Sequence, residues 1–310
     1  MKVVIDCDPG HDDAVAILLA AGHPDVDVLG ITTVAGNQTL ERVTTNACVA
    51  ATVAGLRDVP VVAGSNGPLL RRLRIADSIH GESGLDGPAP IEPTVHPAAG
   101  HAVDFIIDTV LAQPGEVTLV ALGPLTNVAI ALRKAPALAQ AVDRISIMGG
   151  SWTRGNMTPA AEFNVWADPE AAAVVFGAPW DLTMVGLDVT HQALYTEEVA
   201  ARFEGLASPA ARWLGELMAF YRDTNQAVHQ MGAPPVHDPC ALAAVIDPSI
   251  VPTREARVDV ETAGTHTAGM TVVDFGRRAD AGSHHVGVGL EADAFWSLLA
   301  NAVAALPLER

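Results

Sequence analysis

The sequence predicts an α/β fold: an open, mainly parallel, Rossmann-like twisted sheet with helices on both faces and a partly antiparallel C-terminal edge. Three observations predict it. Short β-branched runs alternate with helical patterns over most of the chain, which implies right-handed crossovers and a parallel sheet covered on both sides. The 310 residues, 49% hydrophobic and 17% charged, are enough for one domain with a sizeable core. Near the end, three strand-like runs follow one another with no helix between them, as antiparallel pairing requires. No repeat, low-complexity tract or linker divides the chain, so a single domain over 1–310 is expected.

The first strand runs through Val3-Val4-Ile5 and ends on Asp6-Cys7-Asp8. Pro9-Gly10 break it, and Asp12-Asp13 open an apolar helix from Ala14 to Ala21. Further strands are expected at Val26 to Val34, Pro60 to Ala63, Val117 to Leu122, Arg144 to Met148 and Leu182 to Leu187. Helices fall between them at Thr39 to Gly55, Gly100 to Gln113, Leu125 to Lys134 and Pro169 to Gly177. His237-Asp238-Pro239 opens an apolar helix over Cys240 to Ile246. The terminal strands are read at Ala256 to Thr262, Gly269 to Asp274 and His285 to Leu290, before a last helix at Glu291 to Ala305. Two stretches fit no regular element, Ser65 to Pro97 and Gly150 to Asp168. Loops of that length in a compact domain usually serve function. Ser65 to Pro97, together with a third irregular stretch from Tyr221 to Pro235, is expected to act as a lid.

Composition excludes several roles. A formal net charge of -18, with Lys2 and Lys134 the only lysines, repels nucleic acid and anionic membrane. Neither a secretion signal nor a run of about 20 apolar residues is visible, so a cytoplasmic protein is expected. Cys7, Cys48 and Cys240 are isolated and odd in number, and read as reduced core residues.

The first strand and its turn carry Asp6, Asp8, Asp12 and Asp13, four carboxylates within eight residues. Like charges so close must be neutralised by a proton, a base or a cation. One or two could do no more than cap the helix, and Asp6, of opposite parity, fits a structural partner to buried backbone. Hard oxygen donors without a thiolate cluster favour Ca²⁺ or Mg²⁺ over zinc. In open parallel sheets ligands bind outside the carboxyl ends of the strands. There the sequence places Asn37, Thr126-Asn127, Met148-Gly149-Gly150 and Asp188-Val189-Thr190-His191. Thr126 or Asn127 could be only a helix cap. Asp238 reads either as a helix N-cap or as part of an oxygen cage; His237 beside it is either an exposed loop residue or a proton donor.

Asp6-Cys7-Asp8-Pro9-Gly10-His11-Asp12-Asp13-Ala14 resembles the signature of the nucleoside hydrolases of the inosine-uridine-preferring type. The likeness continues through Thr32 to Asn37, Ile79-His80-Gly81, Leu122 to Asn127, Met148-Gly149-Gly150, Gly155-Asn156, Ala161 to Asn164, Asp168 to Ala172 and His237-Asp238-Pro239. The resemblance implies an N-ribosyl glycosidase of purine and pyrimidine salvage, which hydrolyses ribonucleosides to ribose and free base. It implies Ca²⁺ held by Asp8, Asp13, Asp238 and the carbonyl of Thr126. Asp8 would take a proton from the attacking water and His237 would protonate the leaving base. Asp12, Asn37 and Asn164 would hold ribose hydroxyls, with Asn156 and Glu162 near the 5′-hydroxyl. His80, Met148 and Phe163 complete the expected substrate contacts. A homodimer or homotetramer is expected, with a small ribonucleoside as the only other partner.

Two other readings compete. A strand ending in Asp-x-Asp also opens the haloacid-dehalogenase-type phosphatases. Those want Thr or Val two residues after the second Asp, where Gly10 stands, and a late Lys, whereas no Lys follows Lys134. A non-catalytic ribose- or nucleoside-binding protein would not need both the acid and the base. Base preference stays open, because Tyr221 to Gln230, beside the expected base, is poor in aromatic residues.

Overall fold

A computed structural model of the chain describes residues 1–276 and 284–307. The strands are β1 (Lys2–Cys7), β2 (Asp27–Thr33), β3 (Val61–Ala63), β4 (Val117–Ala121), β5 (Arg144–Met148), β6 (Leu182–Val185), β7 (Thr253–Val260), β8 (Thr271–Asp274) and β9 (His284–Gly287). They form one nine-stranded sheet in the order β3-β2-β1-β4-β5-β6-β9-β7-β8. Pairing is parallel from β3 across to β9, and β7 then runs antiparallel to both β9 and β8. The strand order reverses beside β1, which puts the Asp-rich turn at a switch point of the sheet.

Helices α1 (His11–Gly22), α2 (Leu40–Ala54), α3 (Asp77–His80), α4 (Ala102–Ala112), α5 (Thr126–Lys134), α6 (Leu138–Ala141) and α7 (Phe163–Ala167) belong to the first half. The second half adds α8 (Pro169–Phe176), α9 (Leu187–Thr190), α10 (Glu197–Glu204), α11 (Pro209–His229), α12 (Asp238–Ile246) and α13 (Ala292–Ala305). Strand parity decides which layer each side chain joins. Val3, Ile5 and Cys7 of β1 pack with α1, α2, α11, α12 and α13, whereas Val4 packs with α4, α5 and α8. Ile17, Leu18 and Leu19 of α1 are fully buried, so that helix is apolar all round. Truncating one of them to Ala would cost about 2–5 kcal/mol.

The sequence assignments hold with shifts of a few residues at the ends, but Gly150 to Asp168, read as irregular, contains the short helix α7, and a longer stretch also differs in kind. Tyr221 to His229, expected as part of a loop, is the C-terminal part of the 21-residue helix α11. Buried Trp213, Leu214, Leu217, Met218 and Tyr221 recur at helical spacing, with Pro209 in the first turn. Gly215 within it and Pro234-Pro235 beyond it masked that period. The helix stops where Gln230 turns left-handed (φ 58°), so only the few residues before His237 are irregular. Ser65 to Pro97 is irregular as expected, apart from the single turn α3. Among the described residues, no helix is long and apolar enough to cross a membrane.

Candidate active site

The site grows from the turn between β1 and α1. The backbone N–H groups of Asp8 and Gly10 donate to the Asp13 carboxylate (3.1 and 3.0 Å), folding the turn around that side chain. The N–H of Asn37 donates to Asp8 Oδ2 (2.6 Å), and Asn37 Nδ2 to Asp13 Oδ2 (3.2 Å). Gly36 and Gly123 must lack side chains, since a Cβ on them would lie 2.1 and 2.4 Å from the Asp8 oxygens. Carboxylate oxygens of Asp12, Asp13 and Asp238 lie within 4.8 Å of one another. Asp8 and Asp13 are wholly buried, and Asp12 and Asp238 nearly so.

Asp6 does something else. Its Oδ1 accepts from Thr32 Oγ1 (2.6 Å) and Asn127 Nδ2 (2.8 Å), on the same face of β1 as Val4. It is a strut between β2 and α5. Thr126 stands at the first position of α5, where its hydroxyl donates to Asp168 Oδ2 (2.6 Å). Asp168 also accepts from the N–H groups of Leu69 and Ala171, so one buried carboxylate ties the Ser65 to Pro97 loop to the turn after β4.

Above the carboxylates opens a cavity of about 590 Å³. Asp12 and Asp238 reach it, while Asp8, Asp13 and Thr126 lie beneath. Asn37, Met148, Glu162 and Asn164 line it, and so do Asn156 and Phe163. Asn164 Nδ2 donates to the carbonyls of Leu122 and Met148 (2.6 and 3.0 Å), which leaves its oxygen as the group able to serve a ligand. Glu162 caps α7, accepting from the N–H groups of Gly150, Asn164 and Val165.

His80, His191 and His237 line the cavity, and the first and last of these come from opposite supports. His237 precedes Asp238 at the start of α12; its N–H points to Asp12 Oδ2 (3.4 Å) and its Nδ1 lies 2.7 Å from Thr190 Oγ1. Asp238 is therefore the first residue of α12, not its cap. His80 ends α3, and its Nδ1 accepts from the His11 N–H (3.3 Å). A Cβ on Gly10 would come within 2.5 Å of that nitrogen, so the ring rests directly on the turn. His11 stacks on His80, Phe220 and Tyr221 at ring separations of 5.3 to 5.5 Å.

The profile of the inosine-uridine preferring nucleoside hydrolases matches residues 3–297. The chain belongs to that family. It is 47% identical to an inosine-uridine preferring nucleoside hydrolase of Crithidia fasciculata over 97% of both chains. It is 43% identical to the pyrimidine-specific ribonucleoside hydrolase RihB of Shigella sonnei, over 97% of this chain and 96% of that one. Among solved structures, a plant nucleoside hydrolase superposes with a TM-score of 0.91 at 35% identity, covering 98% of each chain. A purine-preferring ribonucleoside hydrolase from Gardnerella vaginalis gives 0.91 at 32% identity, again over 98% of each.

The electrostatics of this nucleoside hydrolase follow from burial. Loss of solvent, and then mutual repulsion, pushes the Asp8 and Asp238 carboxyls well above the ordinary range and Asp12 up to about 7; burial also raises Asp13. Burial likewise brings Glu162 to about 7 and pulls His11 down to about 4. Burial, with His11 and His237 nearby, holds His80 well below the usual imidazole range. The sign for stability is definite. Without a cation, the folded chain keeps these carboxyls protonated at pH values where the unfolded chain, with Asp near 3.9, has released them. Stability contributed by the cluster is therefore present at low pH and lost as pH rises from about 4 through about 7 and beyond. Chelator-treated protein should melt at a lower temperature at about pH 8 than at about pH 5.5. A melting temperature that climbs over that interval would contradict the assignment.

Sequence reasoning gave His11 no part in the site; Thr190 and His191 were placed on the rim of the sheet, and Tyr221 and Asn225 in the segment beside the base, but none of the four was given a role. Asn225 and Tyr221 share a face of α11 at i, i+4 spacing, and both line the cavity. That signal was available once the helix was recognised. His191, packed at 5.7 Å from the His237 ring, lies in a turn the sequence marked only as polar.

Proposed function

We propose that this nucleoside hydrolase cleaves the N-glycosidic bond of ribonucleosides, giving ribose and free base for salvage, with Ca²⁺ as its cofactor. One observation carries the reading: four buried carboxylates lie at and beneath the floor of a cavity lined by amides and three histidines. The donor set suits a hard cation. Asp8 Oδ1 is buried and, among the described residues, has no hydrogen-bond donor, in a cradle that two glycines keep clear. Asp8, Asp13, Asp238 and the Thr126 carbonyl would hold the ion. When bound, it would neutralise the carboxylates, lower the pKa of water and grip vicinal hydroxyls.

The chain's own groups do the rest. Asp8 accepts the proton of the attacking water. Asp12, Asn37 and Asn164 hold the ribose hydroxyls, while Asn156 and Glu162 take the 5′ end and Met148 and Phe163 pack against the sugar. As the bond to the base stretches, positive charge grows on the ribosyl ring, and this anionic, amide-rich floor stabilises it. His237 gives its proton to the departing base, and His80 contacts that base.

The direct test is steady-state hydrolysis of inosine and uridine before and after treatment with a chelator. Activity that survives complete metal removal, or no hydrolysis of either nucleoside by the metal-loaded protein, would end the proposal. The acid role has its own test. His237→Ala should lower kcat for inosine or uridine on the order of 10²-fold or more. A p-nitrophenyl riboside, whose phenolate leaves unaided, should be cleaved almost as well as by the parent. An equal loss on both substrates would reassign His237 to ribose binding or structure.

A further inference from the structure

We infer that Thr190 is the positioning residue that holds the His237 ring for proton transfer; the inference rests on the acid role proposed above and adds to it. Thr190 is completely buried and ends the short helix α9, directly after β6. Its Oγ1 lies 2.7 Å from His237 Nδ1, a close contact for a hydroxyl and an imidazole nitrogen.

The support behind that hydroxyl is rigid. Thr190 N–H donates to the Gly186 carbonyl (3.1 Å), and Gly186 approaches the Gly150 carbonyl so closely that a Cβ there would lie 2.6 Å from it. Asp188, in the same turn, accepts from Ser151 Oγ (2.9 Å) and the Trp152 N–H (2.8 Å). The α9 turn is thus bolted to the strand end next to it. His237 caps α12 without a side-chain cap bond, and its backbone N–H reaches Asp12 at 3.4 Å. Thr190 at one nitrogen and the His191 ring, 5.7 Å away and tilted by 53°, are contacts that orient the imidazole.

The chemistry gives the hydroxyl a specific job. With Nδ1 turned to Thr190, the proposed transfer to the base runs from Nε2. An imidazolium that gives its Nε2 proton to the base keeps its other hydrogen on Nδ1. That hydrogen needs an acceptor already in place, because a buried N–H left unpaired opposes the step. The Thr190 oxygen accepts it before and after transfer. A methyl group in the same volume could not.

Thr190→Val removes the acceptor and keeps the shape. It should lower kcat for inosine and uridine by roughly 10- to 100-fold, within the range a positioned acid supplies. KM should stay close to the parent value, p-nitrophenyl riboside should be hydrolysed at nearly the parent rate, and Thr190→Ser should restore most of the loss. Added to His237→Ala, the Val change should cost nothing more, since it acts only through that ring. Should the Val variant fail to fold, Thr190→Ala carries the same comparison. Unchanged inosine turnover, an equal loss on the nitrophenyl riboside, or a further loss in the His237→Ala background would each overturn the inference. His237→Ala alone reports separately on the acid role. If it discriminates between the two substrate types and Thr190→Val does not, only the positioning inference falls.

Discussion

Asp13→Ala is expected to remove the cation and the activity together. Asp13 is wholly buried, its two oxygens gather the N–H groups of Asp8 and Gly10, and it sits against Asp12 and Asp238. Its loss deletes a ligand and also frees the turn that aims Asp8. The parent protein should contain about one calcium per chain by elemental analysis, as one oxygen cage of this size accommodates. The variant should contain almost none, with kcat down on the order of 10³-fold or more, the equivalent of several kcal/mol of transition-state stabilisation. Calcium in excess should raise the melting temperature of the chelator-treated parent, by about 2.7 kcal/mol of added stability at 100 times its dissociation constant. It should leave the variant unmoved. Full activity in parent protein shown to be metal-free would sink the assignment.

The second large effect concerns the sugar. Uridine should exceed 2′-deoxyuridine in kcat/KM by roughly 10⁴-fold, because a site built to pair a hydroxyl leaves buried polar groups unpaired when that hydroxyl is missing. Asn37 and Asn164 have their amide nitrogens committed to Asp13 and to the carbonyls of Leu122 and Met148. Their oxygens are therefore the atoms able to serve the proposed ribose, and Asp12 would add a carboxylate beside them. Values within a few-fold of each other would show that the 2′-hydroxyl is not read. The ribose clamp would then have to be abandoned, although the glycosidase reading itself would stand. Base choice is a separate matter. The relatives range from inosine-uridine preferring through pyrimidine-specific to purine-preferring, and the α11 segment lines the cavity beside His80.

Much of this was written in short-range pattern. The β-branched run at Val3-Val4-Ile5, the Pro9-Gly10 break and the Asp12-Asp13 helix start each announce themselves within a few residues, and the same holds for the strand ends at Asn37, Thr126 and Met148. Asp6 could be separated from its neighbours by parity alone. What could not be read was anything decided by packing between distant segments. Tyr221 looked like loop because helix α11 owes its length to burial of Trp213, Leu217 and Met218 against α1 and α2, which outweighs the glycine inside it. His11 looked like a spectator because the stack that gives it a place draws on α3 and α11. Thr190 was named only as one of several polar residues on a rim. Its contact with His237 spans 47 positions and exists only after β6 and α12 have come together.

The order in which these parts assemble has a consequence for folding. The oxygen donors proposed for the cation come from the β1 turn, the start of α5 and the start of α12, so they meet only when strands far apart in the chain are already aligned. A nascent chain that has emerged no further than β6 has the Asp8 and Asp13 side chains but no Asp238 to close the cage. On the proposed assignment calcium capture would be a late event, one that reports completion of the sheet rather than guiding it. During refolding, far-ultraviolet ellipticity should recover ahead of tight metal binding, because pairings of high sequence separation form slowly.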